Sequence, residues 1–130
     1  MNKICTSIKQ SKKLMELGID VNTADMMWEY NPDKETYWNK PTIIPIDSYI
    51  FVNDIPAWSL AALLGVLPNN KHISTTLSRG GWKIEPVEYI DKWFCEYEDE
   101  VDCKGFTVSA DNPVDACYEM IIKLHELNLL

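Results

Sequence analysis

A chain of 130 residues, 46% hydrophobic, 25% charged and 11% aromatic, has the size and composition of one folded domain, which excludes a disordered or low-complexity polypeptide. Its formal net charge of −8 repels a polyphosphate and argues against non-specific nucleic-acid binding. The charge is uneven: residues 1–90 carry nine Lys and Arg against ten acids, and residues 91–130 three Lys against ten acids, whereas Lys3, Lys9, Lys12 and Lys13 face no acid among the first thirteen residues.

Ser7-Ile8-Lys9-Gln10 fits a capping box, and Ile8, Ser11, Leu14, Met15 and Leu17 supply a mixed apolar face. A first helix over about 7–17 is expected, closed by Gly18 in the left-handed conformation with Ile19 after it. Asn31-Pro32-Asp33-Lys34 reads as a type I turn, because Pro fixes φ at its second position and Asn and Asp suit the first and third. A hairpin is expected around it, from Asp25–Tyr30 to Glu35–Trp38, with Met26, Trp28 and Tyr30 on one face. Pro41, Pro45 and Pro56 limit Ile43–Ile46 and Tyr49–Val52 to short or edge strands.

Pro56 suits the first turn of a second helix, where a missing amide proton costs nothing, and Leu60, Leu63, Leu64 and Leu67 have the spacing of a buried stripe. Gly65 lies inside it, at a place where close packing by another element would account for it. A second hairpin is expected from Ile73–Leu77 through a Ser78-Arg79-Gly80-Gly81 turn to Trp82–Val87. A third joins Asp91–Glu98, with Trp93, Cys95 and Tyr97 on one face, to Gly105–Ser109 through an acidic turn. The last helix is capped by Asn112, with Pro113 in its first turn and Asp115 favourable to its dipole. Its stripe is Val114, Cys117, Met120, Ile121, Leu124 and Leu127. Three helices and five or six short strands in hairpins make an α+β fold: an antiparallel sheet with helices packed on it, as one domain over 1–130.

Motifs of chemistry are sparse. The five glycines write no phosphate-cradling loop, and neither G-x-S-x-G nor H-E-x-x-H occurs. Cys5, Cys95, Cys103 and Cys117 contain no C-x-x-C pair, and only His72 and His125 stand by to help them, so neither zinc nor a disulfide framework is expected. Cys95 and Cys117 read as small core residues. No cofactor is expected. The longest apolar stretch, Pro56–Pro68, is far short of the ~20 residues of a membrane span, and no apolar segment follows the N-terminal lysines as in a secretory signal. A reducing cytoplasm is the expected compartment.

The acidic run Glu96, Glu98, Asp99, Glu100 and Asp102 lacks the glycine and terminal glutamate of a calcium loop and reads as a solvated hairpin tip, open to docking on a basic protein surface. His125, in the last helix turn, suits the negative helix end. Trp28, Trp58 and Trp93 are expected in the core; Trp38 and Trp82 lie beside turns, where an aromatic ring anchors contacts. The candidate protein-binding residues are therefore Arg79, Trp82, Trp38, Glu98, Asp99 and Glu100, with no catalytic, cofactor or metal residue among them. Neutralising Glu98, Asp99 and Glu100 is expected to change stability by no more than ~0.5 kcal/mol per site.

Ser11-Lys12-Lys13-Leu14-Met15-Glu16-Leu17-Gly18, Thr23-Ala24-Asp25-Met26 and Pro56-Ala57-Trp58-Ser59-Leu60-Ala61-Ala62-Leu63-Leu64 resemble a group of small uncharacterised proteins of phages, prophages and mobile elements in gut Bacteroidetes. The closing Asp111-Asn112-Pro113-Val114-Asp115-Ala116-Cys117 fits the same group. It is also weakly similar to the end of the phage α-β-α sandwich domain. The resemblance implies a phage-like context and an α+β body and assigns no catalytic or ligand residue. Together these features point to a small non-enzymatic protein acting through a protein partner or self-association. The alternatives are an acidic inhibitor or nucleic-acid decoy docking on a basic host protein, and an enzyme of unknown type.

Overall fold

A computed structural model describes residues 3–44, 53–80 and 92–130. The fold is α+β: the described residues form three α-helices and three small antiparallel sheets. The chain divides into two units, Ile4–Gly65 and, with Met1–Lys3, Val66–Leu130. No helix among the described residues is long and apolar enough to cross a membrane.

In the first unit, α1 (Ile8–Glu16) begins at the expected capping box: Ser7 Oγ accepts from Gln10 N at 3.1 Å, and Gln10 Oε1 accepts from Ser7 N at 2.9 Å. Gly18, at φ 85°, ends the helix. Ile19 N then donates to Leu14 O and Gly18 N to Met15 O, so a Schellman motif satisfies carbonyls that the helix leaves open. The strand β1 (Met26–Trp28) runs between β4 (Thr42–Ile43) and β5 (Ile55–Ala57). Between β1 and β4, β2 (Tyr30–Asn31) and β3 (Thr36–Tyr37) form a separate small hairpin. Its turn is the expected one: Lys34 N donates to Asn31 O at 3.3 Å, Asp33 N donates to Asn31 Oδ1 at 3.1 Å, and Glu35 follows at φ 52°. The expected pairing of 25–30 with 35–38 therefore holds only next to the turn, and β1 takes other partners. Of the two short strands expected between residues 43 and 52, Thr42–Ile43 forms one, and residues 45–52 lie outside the described residues.

Pro56 does not open a helix. It sits in β5 opposite Met27, at the edge of the sheet, where a residue without an amide proton is tolerated. The second helix, α2 (Leu60–Val66), starts four residues later, where Ser59 Oγ accepts from Ala62 N at 3.3 Å. Asp25 holds that cap, accepting from Ser59 N at 2.9 Å and from the Ser59 hydroxyl. Leu63 and Leu67 are buried as expected, whereas Leu64 is exposed. A Cβ built at Gly65 meets nothing within 4 Å, so close packing does not account for this glycine. Gly65→Ala is expected to raise stability by ~0.5–1 kcal/mol in a urea titration, since alanine loses less backbone freedom on entering a helix.

The second unit is a single layer of sheet under a helix. β6 (Ile73–Arg79), β7 (Trp93–Asp99) and β8 (Lys104–Ala110) pair antiparallel over seven residues each in the order β6-β7-β8. The turn expected at Ser78-Arg79-Gly80-Gly81 is corrected at its first two residues: β6 continues through Ser78 and Arg79 and pairs with β7, and Gly80 N extends the ladder to Lys92 O. The segment Trp82–Val87 lies outside the described residues. The third hairpin stands as expected, in the register Cys95–Val108 and Tyr97–Phe106.

The third helix, α3 (Pro113–Glu126), packs on β7 and β8. Asn112 Oδ1 accepts from Asp115 N at 2.8 Å, and Asp115 Oδ1 pairs with the Lys3 ammonium at 2.7 Å. Val114, Cys117, Met120, Ile121 and Leu124 are buried. Leu127, expected in the same stripe, is exposed because the helix has already ended at it. Asn128, at φ 56°, closes that end, with Leu129 N donating to Leu124 O at 2.8 Å.

Candidate functional site

Strand alternation divides the second unit's sheet into two unlike faces. Residues sharing the parity of Cys95 and Tyr97 point toward α3, with Thr75 and Leu77 on β6 and Phe106 and Val108 on β8 in register with them. Tyr97 stacks on Phe106 with ring centroids 5.0 Å apart. The opposite face carries three cross-strand rows: Ser74-Glu98-Gly105, Thr76-Glu96-Thr107 and Ser78-Phe94-Ser109. Glu96 and Glu98 are both exposed there. Two residues apart on one strand, they stand ~7 Å apart, flanked by hydroxyl side chains.

The acidic run does not act as one patch. Glu98 is on the open face, Glu100 is exposed in the turn, and Asp99 between them points to the other side and is 8% exposed. Asp99 Oδ1 accepts from Val101 N at 2.9 Å and from Asp102 N at 3.2 Å, so this carboxylate builds the turn. The expectation for neutralising the three acids therefore changes at one position. Asp99→Ala is expected to cost ~1–2 kcal/mol, for two lost hydrogen bonds in a half-sheltered turn, while Glu98→Gln and Glu100→Gln stay within ~0.5 kcal/mol in the same urea titration. Equal effects at all three positions would contradict this division.

Arg79 lies at the exposed end of β6 opposite Trp93, with the parity of the α3 face. It is thus on a strand and not in a contact loop. Trp82 lies outside the described residues. Trp38, in the first unit, is 51% exposed, with its backbone N donating to Glu29 O. Trp58 is fully buried as expected, and Trp28 and Trp93 are half-buried. The sequence did not single out Thr76 and Thr107, which share the open face with Glu96, because that face exists only once β6 is paired with β7.

A concave feature lies among the described residues of the second unit. A groove of about 350 Å³ runs between the start of β8 and the end of α3, lined by Cys103, Lys104, Gly105, Phe106, Leu127 and Leu129. His72 and His125 are not among its lining residues; His72 is exposed, and its carbonyl accepts from Glu100 N at 3.0 Å. No group of three or more His, Cys, Asp or Glu side chains that could hold a metal ion occurs among the described residues.

Burial pushes the Tyr97 phenol above its ordinary value, and the nearby Asp99 and Asp102 charges push it the same way. The unfolded chain loses this proton near pH 10 and the folded chain only at higher pH, so the stabilisation is complete below pH 10 and falls as pH rises above it. Stability measured in urea between pH 9 and 11.5 is expected to fall less steeply in Tyr97→Phe than in the parent chain. Identical slopes would contradict the assignment.

No family model, curated protein or solved structure matches this chain.

Proposed function

We propose that this chain is a small non-enzymatic protein of phage or prophage type that acts in the cytoplasm through protein–protein contacts. The observation that supports it is the open face of the β6-β7-β8 sheet. One side of the sheet is taken by α3, while the other presents Glu96 and Glu98 to solvent with the exposed hydroxyls of Thr76, Ser78, Thr107 and Ser109, beside the half-buried Phe94. A polar sheet face of this kind suits docking against another protein surface better than it suits enclosing a substrate, since small-molecule sites are typically concave and mostly apolar. The phage context rests on the sequence resemblance.

A photo-crosslinking residue in place of Thr107, with Glu96 and Glu98 intact, tests the contact in cells that carry the protein. A discrete crosslinked species is expected, and it should disappear when Glu96→Lys and Glu98→Lys are added. Crosslinking that survives the charge reversal, or that arises only from position 38, would overturn the assignment to this face. A product of twice the chain's mass would make the partner a second copy.

The exposed Glu96–Glu98 pair favours one second reading, an acidic inhibitor or decoy docked on a basic host protein. Attraction between exposed charges is screened by salt, so such a complex weakens steadily from 50 to 500 mM salt. A complex indifferent to salt would be held by packing instead.

A further inference from the structure

The second unit holds two buried thiols that the contact surface does not use. Cys95 is the third residue of the central strand β7, between Leu77 and Val108 in register, and it points toward α3. Cys117 lies in the second turn of α3, on the stripe that packs against the sheet. They are 1% and 0% exposed, and both thiols are free. Both side chains enter the same helix–sheet interface, where each thiol shifts the titration of the other. Thiols that influence each other in this way are neighbours, and a disulfide would bring the two sulfurs to about 2.05 Å. Twenty-two positions separate them in sequence, so their meeting is a product of tertiary packing.

We propose that Cys95 and Cys117 are a redox pair, which a two-electron oxidant of the peroxide or small-disulfide class converts into a disulfide fastening α3 to the central strand. With a peroxide the step balances. One thiolate sulfur takes an oxygen as the O–O bond breaks, and the departing hydroxide becomes water. The second sulfur then displaces that oxygen as a second water and forms the S–S bond. Two thiols are oxidised by two electrons, and one peroxide is reduced.

The neighbouring Cys117 thiol holds the Cys95 thiol below its ordinary value, which suits Cys95 to attack first. Cys95 and burial push Cys117 up, which suits it to the resolving step. Burial of both sulfurs makes the reaction slow in the closed fold and dependent on local opening of α3.

The test uses the full chain carrying Cys103→Ser, which removes the exposed thiol in the turn between them. The protein is equilibrated with hydrogen peroxide, and separately with oxidised glutathione, in enough urea to speed local opening, and is then returned to buffer. The expected results are an intact mass lower by two hydrogens, a Cys95–Cys117 linked peptide, reversal by dithiothreitol, and a Tm raised by about 5–10 °C. A further Cys117→Ala change abolishes the linkage and the shift. Cys95 and Cys117 remaining open to alkylation after equilibration, a linkage involving Cys5 instead, or a linked form with unchanged or lowered Tm would each overturn the proposal.

Discussion

Trp58→Ala is expected to destabilise the chain by ~3–5 kcal/mol, measured by far-UV circular dichroism in urea. Trp58 is fully buried and is the largest such side chain among the described residues. It also ties four segments of the first unit together. Its backbone N donates to Thr6 Oγ1 at 3.0 Å, and its carbonyl accepts from Thr6 N at 2.9 Å. Thr6 Oγ1 in turn shares a proton with Ser11 Oγ of α1 at 2.8 Å, with both residues fully buried. The indole N–H donates to Thr23 Oγ1 at 2.9 Å, whose hydroxyl donates to Asp20 O. Alanine keeps the backbone bonds and removes the ring, so the loss is mainly the cavity plus one indole hydrogen bond. Trp58→Phe, which restores most of the volume, is expected to recover more than half of it. A loss below ~1 kcal/mol for alanine would remove Trp58 from the centre of this unit.

Leu124→Ala is expected to cost ~2–5 kcal/mol in the same experiment. Leu124 lies on the buried stripe of α3 with Val114, Ala116, Cys117, Met120 and Ile121. Its carbonyl also accepts from Leu129 N in the closing Schellman motif, a bond that alanine preserves, so the cost isolates the side chain. Leu127→Ala is the matched control. That side chain is 47% exposed, and the change should stay within ~0.5 kcal/mol. Comparable losses at the two positions would mean that α3 presents a different face to the sheet.

The two ends of the chain were legible in the sequence because their signals are local. Ser7 with Gln10, Gly18 with Ile19, and Asn112 with Pro113 and Asp115 each act within one helical turn, and the structure forms every one of these caps. The Asn31–Lys34 turn is equally local. Misreadings arose where pairing is non-local. Gly80 and Gly81 form the strongest turn signal near β6, yet seven residues of β6 find their partner in β7, beyond the segment that the turn would have supplied. Pro56 carries the same helix-start signal as Pro113, but pairing with Met27 draws it into an edge strand, and the helix waits for Ser59. Of the candidate site, Glu98 and Glu100 could be read as exposed acids. The structural duty of Asp99 could not, since it depends on two amide protons of a turn whose geometry the register sets.

Cross-strand proton contacts measured by nuclear Overhauser spectroscopy on the labelled full chain test the central arrangement most directly. It places Glu96 between Thr76 and Thr107 on an open sheet face, with α3 covering the other. Backbone contacts from Glu96 to both Thr76 and Thr107 are expected, together with methyl contacts from Leu124 and Ile121 to side chains of β7 or β8. Contacts joining residues 73–79 to 82–87 in place of β7, or α3 methyls lying against Glu96 and Glu98, would contradict the fold and remove the surface on which the proposed function stands.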